Sequence, residues 1–193
     1  MEFVLALLQG IGIAAAIGVR PMLPVLLTGA LASADAGVDF DGTDFAFLES
    51  WAFLLAAVVI TAALVYVGRS RAVEPPPLVW ALATACVLLG ALEAAGSLAD
   101  EDYTIVPGVI LGGAAAALGF AAARNLYLRV RRRLDADAAG ALPVYFEGTA
   151  LSGAGLSILF PPLALLLVGA LAWLLMGGRR REGEKYAGLR ILR

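Results

Sequence analysis

The chain has 193 residues, of which 61% are hydrophobic and 16% charged, and its formal net charge is −2. Soluble domains contain about 45–50% apolar and about 25% charged residues, so this composition excludes an ordinary soluble domain and favours a one-domain membrane protein. The near-neutral charge gives no signal for nucleic-acid binding, and the lack of histidine excludes histidine-based catalytic triads. The single cysteine, Cys86, lies in an apolar run, where we expect a buried thiol.

The first apolar segment, residues 3–32, is interrupted at Gly18, Arg20, Pro21 and Pro24. Proline removes a backbone donor and clashes with the preceding turn, so we predict a helix broken at this point. The segment is either one broken crossing with the N-terminus inside or a hairpin with the N-terminus outside. It lacks the basic start of a signal peptide, and we interpret it as mature structure.

Three uninterrupted apolar segments follow. A bilayer core of about 30 Å needs about 20 helical residues, and each segment meets that length. We predict three transmembrane helices over residues 47–67, 78–98 and 105–128.

The last apolar segment, residues 141–176, is interrupted by Glu147, several glycines, Pro161 and Pro162. It begins after one arginine cluster and ends before another, so both of its ends lie on the same side. We therefore expect either two thin spans or a re-entrant hairpin bent at the prolines. The domain predicted from these segments covers residues 1–178, and residues 179–193 form a basic cytoplasmic tail.

The charges in the connecting loops alternate. Residues 33–44 and 99–104 carry acids and no basic residue, whereas arginines follow the first and third uninterrupted segments and the last apolar run, at Arg69, Arg71, Arg129, Arg131, Arg132, Arg133, Arg179, Arg180 and Arg181. The positive-inside rule places these arginines and the C-terminus in the cytoplasm and the acidic loops outside. We expect a multi-pass protein of the cell (inner) membrane.

The two broken segments resemble each other. When residues 10–32 are laid over residues 150–172, Pro21 aligns with Pro161 and LLTGALA aligns with LLVGALA. About nine aligned positions are identical, where chance would give about two or three. The alternatives are an internal, inverted repeat and the general likeness of Ala/Leu/Gly-rich membrane segments. A repeat of broken helices is typical of transporter binding sites.

Three charged residues within apolar segments are candidate ligand-binding or ion-binding residues: Arg20, Glu93 and Glu147. Charges at membrane depth are rare and usually paired, so Arg20 either binds an anion, pairs with a buried carboxylate, or extends to an interface. Glu93 and Glu147 are candidate partners for Arg20 or proton carriers, with structural or interfacial acids as the alternative.

Small residues recur every four positions, for example at Gly10, Ala14 and Gly18, and predict close helix packing or a homo-oligomer formed through these faces. The sequence contains no catalytic constellation and no acid cluster at metal spacing within the apolar segments. We therefore expect no enzymatic activity, no metal site and no cofactor.

The string GIGIAAAIGVRPMLPVLL resembles the start of the bacterial membrane family catalogued as domain of unknown function 4126. The residues that carry the resemblance are Gly10, Gly12, Gly18, Arg20, Leu23 and Pro24, with Glu147 further along the chain. The family's acid-rich connection after the second apolar segment is replaced here by GRSRAVEPPP. The resemblance implies a multi-pass membrane protein and supplies no activity.

Two functions remain after these exclusions. Arg20 at a helix break, with the buried acids, favours a small transporter or channel for an anionic solute or lipid headgroup. The alternative is a non-transporting membrane scaffold or assembly partner, which the small-residue stripes favour. The expected partners are the lipid bilayer and an anionic small molecule or lipid, with no nucleic acid.

Overall fold

The computed structural model describes residues 1–70 and 76–187. Within these ranges the chain is all-helical, with no strand and with a single turn of 3-10 helix at Ala46–Leu48. The helices are α1 (Glu2–Val19), α2 (Met22–Ala32), α3 (Trp51–Ser70), α4 (Pro76–Ala99), α5 (Val106–Arg131), α6 (Ala136–Leu159) and α7 (Leu163–Ala187). Arg71, part of one predicted arginine cluster, and residues 188–193 of the predicted tail lie outside the described residues.

Three helices are long and apolar enough to cross a membrane: α1, α4 from Pro77 onward, and α5. They are consistent with a multi-pass membrane protein. The helices α4 and α5 lie over the second and third predicted spans. The predicted first span differs at its start, because residues 46–48 form the 3-10 turn and α3 begins only at Trp51. The first predicted segment breaks at Arg20 and Pro21, between α1 and α2, whereas Gly18 lies within α1 and Pro24 within α2.

The two ends of the bundle differ in charge. We call the end that holds the loops 33–50 and 100–105 the acidic end, and the end of α5 at Arg129–Arg133 the arginine end. The N-terminus lies at the acidic end, since Phe3 meets Tyr103 edge-to-face at 5.2 Å and the Gln9 side chain donates to the Gly37 carbonyl at 2.6 Å. The end of α2 also lies there, since the Ser33 hydroxyl donates to the Glu49 carbonyl at 3.0 Å, so the first segment is a hairpin and not one broken crossing. The membrane side of the N-terminus stays a prediction.

The chain turns back between α1 and α2. Arg20 has an extended backbone, with φ −152° and ψ 117°, as expected for a residue before proline. Its N–H still donates to the Ala16 carbonyl at 3.1 Å and ends α1, and Pro21 then begins the turn into α2. Because α2 has only 11 residues, it is about 16 Å long.

Glycines bring α1, α4 and α5 into backbone contact. A Cβ on Gly10 would lie 2.8 Å from the Ala94 Cα atom, and one on Gly108 would lie 3.0 Å from the Ala95 Cα atom. Gly18 packs directly against the Ala116 carbonyl group and Gly119. Such close approach is how helices associate in lipid, where no hydrophobic force drives them together.

The helices α6 and α7 form a second hairpin. Phe160 and the following prolines make the turn near the acidic end, where Ile158 meets Gly37. The helix α7 returns to the arginine end, since the Arg129 guanidinium donates to the Leu174 carbonyl at 3.4 Å. The acidic-end loop closes the bundle through Val38, Phe40 and Leu48, which are buried with Ile13 and Ile17.

Candidate functional site

Glu93 is the most unusual side chain in the bundle. It lies on α4 at 0% exposure, and neither carboxyl oxygen has a hydrogen-bond partner among the described residues. Most buried polar side chains in proteins are hydrogen-bonded, so an orphaned carboxyl group calls for an explanation.

The hydroxyl groups nearest to Glu93 are bonded elsewhere. Thr28 of α2 lies beside the carboxyl group, but its hydroxyl donates to the Val25 carbonyl at 3.1 Å. Ser97, one turn along α4, donates to the Glu93 main-chain carbonyl at 3.0 Å. Each bond satisfies a hydroxyl group within its own helix. The carboxyl group of Glu93 is therefore left without a donor that would stabilise a negative charge.

The surroundings of this part of α4 are apolar and tightly packed. Gly10, Gly108 and Gly112 all approach Ala94, and the Phe40 ring lies against Gly96. An ionised carboxylate without a partner or water in such a place would cost far more than a hydrogen bond stabilises. The geometry therefore suits a neutral carboxyl group in this arrangement of the helices.

Arg20 lies at the break between α1 and α2 and is half-buried. Its guanidinium carbon lies 6.0 Å from the centroid of the Tyr127 ring on α5, and that of Arg131 lies 5.9 Å from the same centroid. Both distances are within the range of cation–π attraction. The Arg20 guanidinium is also within electrostatic range of the buried Cys86 thiol on α4.

Glu147 lies on α6 beside Phe146, whose ring meets Tyr127 edge-to-face at 5.6 Å. It is half-buried, and in the described part of the chain it forms no ion pair with Arg20. Glu93 forms none either. The structure thus places Arg20 over the Tyr127 ring and Glu147 next to Phe146, which contacts that ring, and it leaves Glu93 nearer the acidic end. The three candidates do not share one cluster.

Three residues of α5 form a group that the sequence analysis did not single out as a site. Arg124, Tyr127 and Arg131 are spaced at i, i+3 and i+7 and so share a helix face. The Nε atom of Arg124 is buried and has no hydrogen-bond partner among the described residues. The spacing of these residues in RNLYLRV carries this signal.

At the acidic end, a cavity of about 140 Å³ is lined by residues that include Gln9, Gly37, Ser97 and Asp100. Burial, followed by the nearby charges of Asp39 and Glu101, raises the pKa of Asp100 above its ordinary value. The cavity reaches Ser97, one helical turn from Glu93.

Glu49 forms a cluster of carboxylates with two aspartates of the first acidic loop. One carboxylate oxygen from each of Asp39, Asp41 and Glu49 lies within 4.8 Å of the others. Burial, followed by a hydrogen bond and the charge of Asp41, raises the pKa of Glu49. The spacing of these acids along the sequence does not predict this group, because Glu49 comes close to the aspartates only through the 3-10 turn that precedes it.

Comparison of the chain with protein-family models, curated proteins and solved structures found no match. The resemblance of the N-terminal segment to the family of domain of unknown function 4126 therefore stays a prediction. Function has to be argued from the site itself.

Proposed function

We propose that this protein is a small transporter of the cell (inner) membrane for an anionic solute or lipid headgroup, with Glu93 as its proton-exchanging residue. The observation that carries the proposal is the completely buried carboxyl group of Glu93, which has no partner among the described residues. Ionisable residues at membrane depth are costly, and they mark ion and proton pathways in transporters.

The cost of charge at Glu93 implies two arrangements of the helices. The neutral carboxyl group fits the apolar packing around Glu93, whereas the ionised form requires water or a cation beside it. A change in protonation therefore favours an arrangement in which Glu93 is hydrated. A ligand that binds one arrangement better than the other is then coupled to that proton.

The two hairpins supply helices suited to such a movement. The helices α1 and α6 cross in opposite directions, because Gly12 meets Ser157 whereas Gly153, closer to the start of α6, meets Ala16. The short helix α2 packs on α6, and α7 packs on α1 in the corresponding way. Each hairpin thus packs its second helix on the first helix of the other hairpin. This reciprocal packing supports the inverted repeat considered from the sequence, and inverted pairs of broken helices are typical of secondary transporters.

A route for protons to Glu93 begins at the acidic end. The cavity beside Gln9 and Asp100 ends at Ser97, one turn from Glu93. By the positive-inside rule, this end faces the outside and the arginine end faces the cytoplasm. The N-terminus is then outside and the C-terminus cytoplasmic.

The test uses the full chain in liposomes on a solid-supported membrane, with phosphate, sulfate, acetate and glycerol 3-phosphate as probes. Fluorescent phosphatidylglycerol, with dithionite as an external quencher, tests movement of a lipid headgroup. We expect one of these probes to produce a signal that grows when the acidic end is exposed to lower pH. Glu93→Gln should abolish this signal, and Glu147→Gln, which removes a half-buried acid, should retain it.

Two results would overturn the proposal. One is a signal no larger than that of protein-free liposomes for every probe. The other is full activity of Glu93→Gln, which would make this carboxyl group structural.

The scaffold alternative is favoured by a different observation, the backbone-close packing of α1, α4 and α5 through Gly10, Gly18 and Gly108. Such packing makes a rigid core and is compatible with assembly through the lipid-facing helices. In mild detergent, a scaffold should be isolated with a specific, stoichiometric partner or as a defined homo-oligomer. A monodisperse monomer with no bound protein would count against it.

A further inference from the structure

We infer that Arg20, Arg124 and Arg131, arranged around Tyr127, form a binding site for the phosphate group of an anionic ligand at the arginine end. The ligand is either a phospholipid headgroup or a free phosphate ester. The inference rests on the proposed function only where it identifies this ligand as the transported anion. Binding at the site is tested without transport.

Arg20 and Arg131 reach the site from opposite directions. Arg20 extends from the end of α1, whereas Arg131 lies one turn beyond Tyr127 at the end of α5. Their guanidinium carbons lie 6.0 and 5.9 Å from the Tyr127 ring centroid, so two positive charges share one aromatic ring. Arg124 lies one turn before Tyr127 on the same face of α5.

No acidic side chain among the described residues balances the positive charge of this group. In the described part of the chain, none of the three arginines forms an ion pair, and the buried Nε atom of Arg124 has no acceptor. Glu147, next to Phe146 on α6, does not pair with them. The guanidinium groups of Arg20 and Arg131 near one ring repel each other, and an anion between them would remove that repulsion.

The neighbouring Arg129 differs, because its guanidinium group has hydrogen-bond acceptors within the protein. Its Nε donates to the Asn125 carbonyl at 3.2 Å, and its terminal nitrogen donates to the Leu174 carbonyl at 3.4 Å. Arg129 thus links α5 to α7. The three arginines around Tyr127 make no such hydrogen bonds among the described residues, so their donors remain for a ligand.

Phosphate is the anion whose chemistry fits best. The planar guanidinium group donates two parallel hydrogen bonds to phosphate oxygens, which lysine cannot do. The chain uses arginine for all but one of its 14 basic residues. Gly18 packs on Gly119, 12 residues before the end of α5, so Arg20 lies about 15 Å inside that end.

The test is native mass spectrometry of the full chain in detergent, titrated with phosphatidylglycerol and separately with phosphatidylcholine. We expect tighter binding of phosphatidylglycerol, weakened about tenfold or more by Arg20→Gln and by Arg131→Gln, because each removes a charge-assisted pair of hydrogen bonds. Arg132→Gln is the matched control, since Arg132 is exposed at the end of α5 and lies off the Tyr127 face. It should weaken binding less than about twofold, as expected for a surface charge.

The source of the phosphate is decided by competition. If millimolar inorganic phosphate or glycerol 3-phosphate displaces the lipid, the site takes free phosphate esters, and if neither displaces it, the ligand is the lipid headgroup. Equal losses for Arg20→Gln, Arg131→Gln and Arg132→Gln would reduce the effect to net charge and overturn the site. Equal binding of phosphatidylcholine would also overturn it. If Arg20→Gln fails to fold, Arg131→Gln decides the outcome, because its side chain lies at a helix end.

Transport and binding can fail separately. A chain that transports an anion but binds phosphatidylglycerol and phosphate no better than its Arg131→Gln variant refutes this site and leaves the proposed function standing. A chain that binds phosphatidylglycerol through these arginines but moves no probe refutes the transporter and leaves the site standing.

Discussion

The two helix breaks have similar backbone geometry and different side chains. Arg20 and Phe160 each precede a proline, and their φ angles are −152° and −146°, whereas ψ is 117° at Arg20 and 80° at Phe160. Each N–H closes the preceding helix on the carbonyl four residues earlier, at 3.1 Å to Ala16 and at 2.8 Å to Leu156. The similarity shows how little the local geometry of a break depends on the side chain that occupies it.

The difference lies in what each break places in the membrane. The first break puts a half-buried guanidinium group over Tyr127 near the arginine end. The second puts the Phe160 ring, 60% exposed, near the acidic end. If the hairpins descend from one unit, the same turn carries the proposed ligand site at one end of the bundle and an exposed aromatic side chain at the other.

Replacing Gly18 with the residue found at the corresponding position before the second break should have the largest effect on folding. By the alignment offset Gly18 corresponds to Ile158, and any side chain at Gly18 would meet the Ala116 carbonyl group and Gly119. Overpacking costs about 1–3 kcal/mol even where side chains can move, and here the obstacle is backbone. We expect Gly18→Ile to yield little folded protein by size-exclusion chromatography in detergent.

The matched control for this variant is Gly169→Ile, since Gly169 on α7 has no atom within 4 Å of an added Cβ. It should purify as the wild type does. Normal yield of Gly18→Ile would mean that α1 and α5 separate easily, contrary to the packing described above.

Replacing the charge at the first break should come next. Arg20→Phe gives this position the residue found at Phe160 and should lower affinity for phosphatidylglycerol about tenfold or more, because a charged hydrogen-bonding partner is lost. The reciprocal change, Phe160→Arg, should leave that affinity unchanged. If Phe160→Arg raises the affinity for phosphatidylglycerol, a positive charge at any position in the bilayer is enough for binding.

The buried acid Glu93 lies beside α2 of the first hairpin, and among the described residues the second hairpin has no buried acid. Glu93→Leu removes a buried carboxyl group without a partner among the described residues. It should raise the free energy of unfolding in detergent by about 1–3 kcal/mol and abolish any proton-coupled signal. Thr28→Val is the companion change, since Val168 is its counterpart in α7, and it should lower stability slightly through loss of the bond to Val25. Destabilisation by Glu93→Leu would point to a partner that stabilises the carboxyl group.

The smallest effect concerns the acidic loop that follows the first hairpin. Because the pKa of Glu49 is raised above 4.5 by burial and by Asp41, the folded chain binds more protons than the unfolded chain just above that pH. This contribution therefore favours folding at low pH and is lost as the pH rises through the raised pKa. Glu49→Gln should flatten the pH dependence of the melting temperature between pH 4 and 7, with Asp100 retaining part of it. An unchanged slope would mean that Glu49 titrates as a free carboxyl group.

Much of the fold follows from hydrophobic length and from proline. The spans α4 and α5 are continuous apolar runs long enough for a bilayer, so their positions follow from composition alone. The direction of α1 does not, because no charged cluster precedes it, and the contacts of Phe3 and Gln9 are needed to place the N-terminus.

The site was less predictable, for reasons of geometry. The positions of Arg20 and Glu93 inside apolar runs indicated unusual residues, but the complete burial of Glu93 depends on the position of α2, which places Thr28 beside the carboxyl group. Pairing of Arg20 with either acid was an open alternative, which the described contacts do not support. The i, i+3, i+7 stripe of Arg124, Tyr127 and Arg131 was present in the sequence, whereas Arg20 joins it only through the turn at Pro21.

The shortness of α2 has an electrical consequence. Its 11 residues cover about half of a 30 Å hydrocarbon layer, and the hairpin turns at Arg20, well inside the end of α5. If water and counterions reach the arginines at that depth, they carry the potential of that side inward. The transmembrane voltage then falls over a shorter distance, which contains Glu93, and a proton moving there crosses a larger share of the voltage. If the protein exchanges protons as proposed, its currents should be steeply voltage-dependent.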